Sequence, residues 1–179
     1  MNSKSDTEVI ERILNGNPEL FRIIVERYQS SVAGVVKGML GDCTEADDVG
    51  QETFIRLYNS LKDYRGDAAL KTYLTRIAMN LSLNELKKRK RYSNTTVSLD
   101  SGINYNPGIE MSTSERKENM EIIQKAIDLL EPRQKSVFIM RVVEGYSTIE
   151  TAKALKIPLG TVLSRLSRAT EEMRKLVKL

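Results

Sequence analysis

The sequence predicts an all-α protein: two small helical domains joined by a flexible linker, with a helix-turn-helix in the C-terminal domain. Three observations lead to this fold class. Glycine and proline fall between segments whose apolar residues recur at helical spacing. No segment shows the sustained apolar–polar alternation of a β-strand. Residues 92–113 are rich in Ser, Thr, Asn and Gly and carry no helical stripe.

Residues that favour helix ends mark the individual elements. Thr44 with Asp47, and Ser147 with Glu150, have the spacing of a capping box. Gly145 is placed to stop a helix. First-turn prolines are predicted at Pro18, Pro132 and Pro158. The predicted helices lie near residues 6–15, 18–40, 44–62, 68–91, 114–130, 132–144, 147–155 and 158–177.

The organisation that follows is an N-terminal domain over residues 1–91, a linker over 92–113 and a C-terminal domain over 114–179. The linker holds more apolar residues than a pure spacer needs, so we expect part of it to dock on a surface. These residues are Val97, Leu99, Ile103, Tyr105 and Ile109.

Composition excludes several classes of function. The 179 residues contain no histidine, which removes the commonest general base and most zinc-ligand combinations. Cys43 is the single cysteine, so no internal disulfide is possible and a reducing cytoplasm is favoured. The polar, acidic start is unlike a secretory signal, and no apolar run approaches the roughly 20 residues of a membrane span. We therefore expect a cytoplasmic protein without a cofactor or an enzymatic activity.

The charges are unevenly distributed, although the net charge is only +4. Residues 87–91 are five consecutive bases (KKRKR), whereas residues 41–53 are rich in acids (GDCTEADDVGQET). Blocks of both signs indicate two kinds of partner, nucleic acid for the basic block and a basic surface for the acidic one. Solvated helix faces are the alternative explanation for both.

The predicted helix over 44–62 carries the acidic residues on one side. Its core face is formed by Ala46, Val49, Gly50, Thr53, Phe54, Leu57 and Leu61. Another side groups Glu45, Asp48 and Glu52, with Gln51 and Ile55 beside them. Clustered carboxylates repel one another unless a cation or a basic surface meets them, and an exposed isoleucine at their edge indicates an interface. A metal site that uses Asp48 and Glu52 is a competing hypothesis, although it needs further ligands.

The next predicted helix has the pattern of a nucleic-acid-binding surface. Its core face consists of Leu70, Tyr73, Leu74, Ile77, Ala78 and Leu81. A polar line of Arg76, Asn80, Asn84 and Lys87 leads into the basic block. Arginine and lysine can follow a phosphate backbone, and asparagine can bond a base edge. A solubilising polar stripe is the alternative.

The last predicted helix has the pattern of a helix that enters the major groove. Leu159, Val162, Leu163, Leu166, Ala169, Met173 and Val177 share the face predicted to be buried. The opposite face presents Thr161, Ser164, Ser167, Arg168, Glu171 and Lys175. Small hydroxyl side chains beside arginine suit contact with phosphates and guanine. An ordinary helical hairpin with a polar outer face fits the same pattern.

Three stretches resemble one family. "ADDVGQETF" and "YRGDAALKTYLTRIAMN" are similar to the second conserved region of extracytoplasmic-function (ECF) sigma factors of bacterial RNA polymerase. "GYSTIETAKALKIPLGTVLSRLSRA", after "LEPRQKSVFIMRVVEG", resembles the C-terminal helix-turn-helix of sigma factors, a pattern partly shared with LuxR-type regulators. The resemblance covers both halves in order. It implies a non-enzymatic protein that brings core RNA polymerase to promoter DNA.

The resemblance also implies roles for particular positions. Glu45, Asp48, Gln51, Glu52 and Ile55 would contact the clamp helices of the largest polymerase subunit. The melted −10 strand would contact Tyr64, Arg65, Gly66, Asp67, Arg76, Asn80, Asn84 and Lys87. A base flipped out of that strand would be held near the loop that precedes the predicted helix over 68–91. The −35 duplex would meet Thr161, Ser164, Arg165, Ser167 and Arg168. Because an anti-sigma factor often holds family members inactive, such an inhibitor is a candidate partner.

Some positions depart from the family pattern. Lys156 stands where a turn glycine is usual, which implies backbone strain if φ is positive there. Leu163 stands where a basic residue is common, so one potential DNA contact is lost. Two other functions stay open on the sequence. A stand-alone helix-turn-helix regulator would leave the acidic face without a purpose, and a metal protein or enzyme would use Glu45, Asp48 and Glu52.

Overall fold

The described part of the chain is helical throughout. In this computed structural model the described residues are 5–66, 68–95 and 114–177, and the side chains of all of these except 93–95 and 114–121. The helices are α1 (Asp6–Leu14), α2 (Phe21–Leu40), α3 (Thr44–Ser60), α4 (Leu70–Thr95), α5 (Ser114–Leu129), α6 (Pro132–Phe138), α7 (Thr148–Leu155) and α8 (Leu159–Val177). Short 3₁₀ turns at Pro18–Leu20 and Leu61–Asp63 precede α2 and follow α3. The predicted all-α fold is confirmed.

Several helix ends are fixed by the predicted signals. Ser147 and Glu150 form a complete capping box at the start of α7, with Glu150 N–H to Ser147 Oγ at 3.2 Å. Gly145 has φ of +72° at the turn before α7. The prediction at Thr44 and Asp47 was wrong, because Cys43 occupies the capping position and its side chain accepts no capping hydrogen bond.

The expected helix over 132–144 is not regular. Pro132 does begin α6, but the continuation Ile139–Val143 is a π-helical turn. Glu144 N–H donates to Ile139 O at 2.9 Å, which closes the wider ring. The extra residue of a π turn shifts the following side chains around the helix axis. Pro158 likewise lies one residue before α8 rather than within its first turn.

Apolar side chains of both halves form one continuous core. In the N-terminal half, α2, α3 and α4 pack on one another around fully buried residues such as Ile24, Met39, Leu57 and Leu74. In the C-terminal half, α6 and α7 pack on α8 around Ile139, Met140 and Val162. The halves also touch, since α7 packs on α4, and α5, α6 and the π turn pack on α2.

The contact between halves changes the burial of α4. Its predicted core face is largely inside, but Thr75, Met79 and Ser82 are buried as well. Helix α4 is therefore covered on two sides rather than one. No helix among the described residues is both long and apolar enough to span a bilayer.

Candidate functional site

The predicted acidic residues lie together on α3. Glu45, Asp48, Gln51 and Ile55 are exposed, whereas Glu52 is half-buried. The exposed fraction of Ile55 is 53%, which is large for an isoleucine in the middle of a packed helix. We name these five residues the acidic face. Its arrangement agrees with the helical spacing of the sequence, because α3 runs without interruption through all five positions.

Part of the negative charge of the acidic face is neutralised within the chain. Arg56 Nε lies 2.8 Å from Glu52 Oε1, and Arg89 Nη2 lies 3.4 Å from Glu45 Oε2. Asp48 has no ion pair of this kind with another residue that the structure describes. The repulsion expected among three carboxylates is therefore relieved by internal cations, and Asp48 carries the least compensated charge.

Glu45 is held in its charged form by its position at the start of α3. Hydrogen bonding from its own backbone N–H lowers its pKa most, followed by the Cys43 side chain and the nearby Arg89 guanidinium. A carboxyl with a lowered pKa contributes stability above its unfolded pKa and loses that contribution as the pH falls through its folded pKa. The side chain thus stays anionic at neutral pH.

Arg89 differs from Lys87 of the same basic block in its contacts. Its guanidinium donates to Leu40 O at 3.2 Å and to Cys43 Sγ at 3.0 Å, in addition to the Glu45 contact. Lys87, by contrast, is exposed. The block therefore serves two purposes: Arg89 ties the C-terminal part of α4 to the start of α3, and exposed lysines remain on the surface. Sequence reasoning did not separate these roles.

The acidic residues do not assemble a metal site. Over residues 5–66, 68–92 and 122–177, no three His, Cys, Asp or Glu side chains are grouped closely enough to hold an ion. Asp48 and Glu52 line an open groove between α3 and α4 that also contains Asn84 and Lys88. The groove therefore places acidic and basic side chains beside one another, which does not favour a bound cation.

A second cavity lies at the loop before α4. It is lined by Asp63, Tyr64, Arg65, Ala68, Tyr73 and Arg76. Tyr64 Oη donates to Ala68 O at 2.6 Å across the loop, and Gly66 has φ of +77°, a conformation that favours glycine. These two features give the loop a defined shape. Asp67, which was also predicted to lie here, falls outside the described residues.

Aromatic rings form one wall of this cavity. The rings of Tyr64 and Tyr73 meet edge to face with centroids 5.4 Å apart, and the Arg76 guanidinium lies 4.9 Å from the Tyr73 centroid. Tyr73 Oη donates to Ser60 Oγ at 3.2 Å. Sequence reasoning assigned Tyr73 to the core only. Its spacing of three residues from Arg76 was the signal for a shared surface.

The predicted polar line on α4 continues from this cavity. Asn80, Asn84 and Lys87 are exposed and Arg76 is half-buried, and steps of three or four residues place them along one side of the helix. The structure thus joins Tyr64, Arg65 and Gly66 of the loop, with the ring of Tyr73 beside them, to the polar line of α4. We name this combined surface the loop–α4 surface.

Helices α7 and α8 form a helix-turn-helix. The turn between them passes through Lys156, whose φ of 53° and ψ of 47° are left-handed. Ile157 N–H donates to Ala152 O at 3.1 Å, and Val162 N–H donates to Pro158 O at 3.2 Å across the start of α8. The strain expected at Lys156 is therefore present, and local hydrogen bonds hold the turn in place.

The predicted polar face of α8 is accessible. Ser164, Ser167 and Arg168 are exposed, and Thr161 and Arg165 are half-buried. On the opposite side Val162, Ala169 and Met173 are buried as predicted. Leu159 and Leu163 were also predicted to be buried, but they are exposed, because only one side of the first turns of α8 meets other helices. Leu163 instead lines a shallow groove with Leu166, Ser167, Thr170, Glu171 and Arg174.

Comparison with known families matches each half to a different model. Residues 24–92 match Sigma-70 region 2, and residues 120–173 match Sigma-70 region 4. The chain is 30% identical to the RNA polymerase sigma-H factor of Pseudomonas aeruginosa, over 98% of this chain and 95% of the relative. It is 32% identical to the ECF RNA polymerase sigma-E factor of Haemophilus influenzae, over 93% of this chain and 92% of the relative.

Solved structures show the same fold. A sigma factor RpoE from Bartonella quintana, solved in complex with the anti-sigma factor NepR, matches with a TM-score of 0.72 and 21% identity, covering 89% of this chain and 97% of that one. CnrH, solved with the cytosolic domain of CnrY, matches with a TM-score of 0.70 and 20% identity, covering 98% of each chain. Both matched family models describe regions of Sigma-70, and a match to region 2 is not expected of a regulator that uses only a helix-turn-helix.

Two sigma-factor models over the two halves, together with relatives at least 30% identical along more than nine-tenths of the chain, give one conclusion. The acidic face, the loop–α4 surface and the helix-turn-helix belong to an extracytoplasmic-function sigma factor, a protein that directs core RNA polymerase to promoters.

Proposed function

We propose that three surfaces of this sigma factor have separate binding functions. Residues 1–91 bind core polymerase and the −10 element, residues 114–179 bind the −35 element, and residues 92–113 connect them. The chain acts in the cytoplasm without catalysing a reaction itself. The sigma factor RpoE of Bartonella quintana, which has a similar fold and was solved with the anti-sigma factor NepR, supports an anti-sigma factor as a regulatory partner of this chain too.

The acidic face is the proposed contact with core polymerase. Asp48 and Gln51 are exposed beside Ile55, so a partner can make a charged and an apolar contact on the same helix. An apolar residue with charged neighbours is the usual composition of a protein interface with a polar rim. Glu45 and Glu52 exchange their internal arginine partners for polymerase cations when the complex forms. This composition of the face is the observation that carries the proposal.

The loop–α4 surface is the proposed binding site for the melted −10 strand. Tyr64 and Tyr73 offer aromatic surface to an unstacked base, and Arg76 offers charge beside them. Base–aromatic stacking contributes roughly 1–3 kcal/mol per base, which offsets the few kcal/mol lost when a base leaves its duplex. Asn80 and Asn84 supply amide groups for base edges, and Lys87 supplies charge for the phosphates that follow.

Helix α8 is the proposed contact with the −35 duplex. Its exposed hydroxyls at Ser164 and Ser167 suit phosphates and either base type, and Arg168 can bond guanine at two atoms. Thr161 and Arg165 extend the same face. Each DNA contact is small, so binding to a promoter gains mainly from the effective concentration that polymerase imposes on two tethered sites.

Run-off transcription tests these assignments. Core polymerase is combined with the natural chain and with an Asp48→Lys/Glu52→Lys variant on genomic promoter fragments. We expect specific transcripts from the natural chain and a loss of at least tenfold in the variant. Asp47→Lys, on the same helix but outside the acidic face, serves as the matched control. Undiminished transcription by the double variant, or promoter binding by the free chain at sub-micromolar concentration, contradicts the proposal.

A further inference from the structure

Two leucines are exposed at the start of α8. Helical spacing assigns Leu159 and Leu163 to the buried face, yet the exposed fractions of their side chains are 46% and 51%. Because they are four residues apart, they lie one turn apart on the same side of the helix. Apolar surface left in water forgoes the stabilisation that burial gives, so a pair of exposed leucines indicates a contact made outside the chain.

The two leucines adjoin the polar face of α8 that is proposed to contact the −35 duplex. Ser167 is exposed one turn after Leu163, and Arg168 is exposed beside it. In a helix-turn-helix, the residues at the N-terminal end of the second helix are those that reach the edges of the bases. Leu159 and Leu163 occupy these turns. The inference below therefore rests on the proposed function of α8 and specifies what this helix selects.

The first turns of α8 offer few free hydrogen-bond donors to a base. Ser164 Oγ donates to Thr161 O at 3.2 Å within the helix, so a new bond from this hydroxyl to DNA requires the loss of the present one. Gly160 is exposed, and no atom lies within 4 Å of the position that a Cβ atom would take there. The glycine therefore permits DNA to approach the helix closely. What the helix presents beside it is the apolar surface of the leucines.

Thymine is the base that suits such a surface. In the major groove its edge carries a 5-methyl group, whereas guanine presents two acceptors, cytosine a donor, and adenine one of each. A leucine placed against those polar groups would leave them without partners, and a leucine placed against the methyl group buries it. Four residues of helix rise about 6 Å, which corresponds to about two base pairs at roughly 3.4 Å each. The leucines therefore cover about two neighbouring base pairs.

We propose that Leu163, with Leu159 beside it, is a specificity-determining residue that selects thymine in the −35 duplex through the 5-methyl group. A basic residue, which is common at position 163 in the family, would favour guanine or a phosphate instead. The leucine thus changes the base that is selected, and does not simply remove a contact. Burial of one methyl group changes the affinity about fourfold. The −35 element of this sigma factor accordingly contains one or two neighbouring thymines that contact the leucines.

Replacement of thymine by deoxyuridine tests the proposal, because it removes the 5-methyl group and keeps the base pair with adenine. The full chain is combined with core polymerase, and the Kd is measured for synthetic duplexes of a promoter that run-off transcription identifies. Each −35 thymine on either strand is replaced singly. We expect the Kd to rise about fourfold at one or two neighbouring thymines and to stay unchanged at the others. At a sensitive position, 5-methylcytosine should bind about fourfold more tightly than cytosine.

Two leucine variants connect the effect to its residue. In Leu163→Ala, the rise in Kd caused by deoxyuridine should disappear at one of the sensitive positions. Leu176→Ala is the matched control, since Leu176 is a 40% exposed leucine near the other end of α8, and this variant should keep the full deoxyuridine effect. Both side chains are exposed, so both variants should melt at the Tm of the natural chain. The proposal is overturned by a −35 element without a sensitive thymine, or by a deoxyuridine effect that persists in Leu163→Ala.

A third comparison separates failure of this proposal from failure of the proposed function. Scrambling the whole −35 element tests whether the holoenzyme uses that element at all, and Arg168→Ala tests whether α8 contacts it. If both changes raise the Kd while no deoxyuridine does, α8 keeps its proposed function and only the role of Leu163 is wrong. If neither change alters the Kd, the proposed function of α8 and the role of Leu163 are both wrong.

Discussion

Neutralising Asp48 of the acidic face is expected to weaken the binding of core polymerase more than neutralising Glu52. Asp48 is exposed and has no ion pair with another described residue, whereas Glu52 already accepts from Arg56 Nε at 2.8 Å. When polymerase binds, Glu52 gains a new cation only by giving up this one. Asp48 gains a cation without losing any. The two substitutions Asp48→Asn and Glu52→Gln therefore have unequal costs although they remove the same charge.

The size of each expected change in Kd follows from the solvent exposure of Asp48 and Glu52. An exposed ion pair contributes up to about 1 kcal/mol, so Asp48→Asn should raise the Kd for core polymerase about fivefold. An ion pair between helix residues four apart, such as Glu52–Arg56, contributes about 0.3–0.5 kcal/mol. Its loss when the complex forms offsets about half of the free energy that Glu52 gains from a polymerase cation. Glu52→Gln should therefore raise the Kd about twofold. Asp47→Asn, on the same helix but outside the acidic face, should leave the Kd unchanged.

Fluorescence anisotropy of the labelled chain, titrated with core polymerase, measures all three values. The titrations are run at about 0.1 M and 0.5 M salt, because screening should reduce the Asp48 effect at the higher concentration. Equal increases in Kd for Asp48→Asn and Glu52→Gln would show that ion pairs within the chain do not determine which carboxylate contributes more to polymerase binding. An increase in Kd of the same size for Asp47→Asn would show that polymerase binding depends only on the net charge of the chain.

The remaining predictions concern the loop–α4 surface and the helix-turn-helix. Tyr73→Leu should lower run-off transcription at least fivefold by removing the ring beneath Arg76, whereas Tyr73→Phe should lower it less than twofold; equal losses would contradict the aromatic role. Ser147→Ala should destabilise the fold by about 1 kcal/mol, seen as a lower Tm in calorimetry, and an unchanged Tm would contradict the cap's contribution. Lys156→Gly should relieve the left-handed strain and stabilise by up to about 1 kcal/mol, whereas Lys153→Gly, inside α7, should destabilise by about 1 kcal/mol; a shared sign would contradict the strain argument.

Local patterns predicted most of the helices. A helix end depends on a few neighbouring residues, so Ser147 and Gly145 could be interpreted without knowledge of the fold. The capping prediction at Thr44 failed because Cys43 takes the extended conformation one residue earlier. Capping-box spacing permits a cap but does not determine which residue takes the extended conformation at the start of the helix. The left-handed turn at Lys156 was anticipated only through the family resemblance.

Contacts between distant segments were beyond the sequence patterns. Periodicity gave α4 one buried side, yet Thr75 is also buried because Tyr146 approaches from 71 residues away in the sequence. Arg89 appeared to be one base of a DNA-binding block, and only the fold shows that Leu40 and Glu45 hold it. Both errors have one cause. A side chain's exposure depends on every element packed near it, whereas helical spacing describes only its own element.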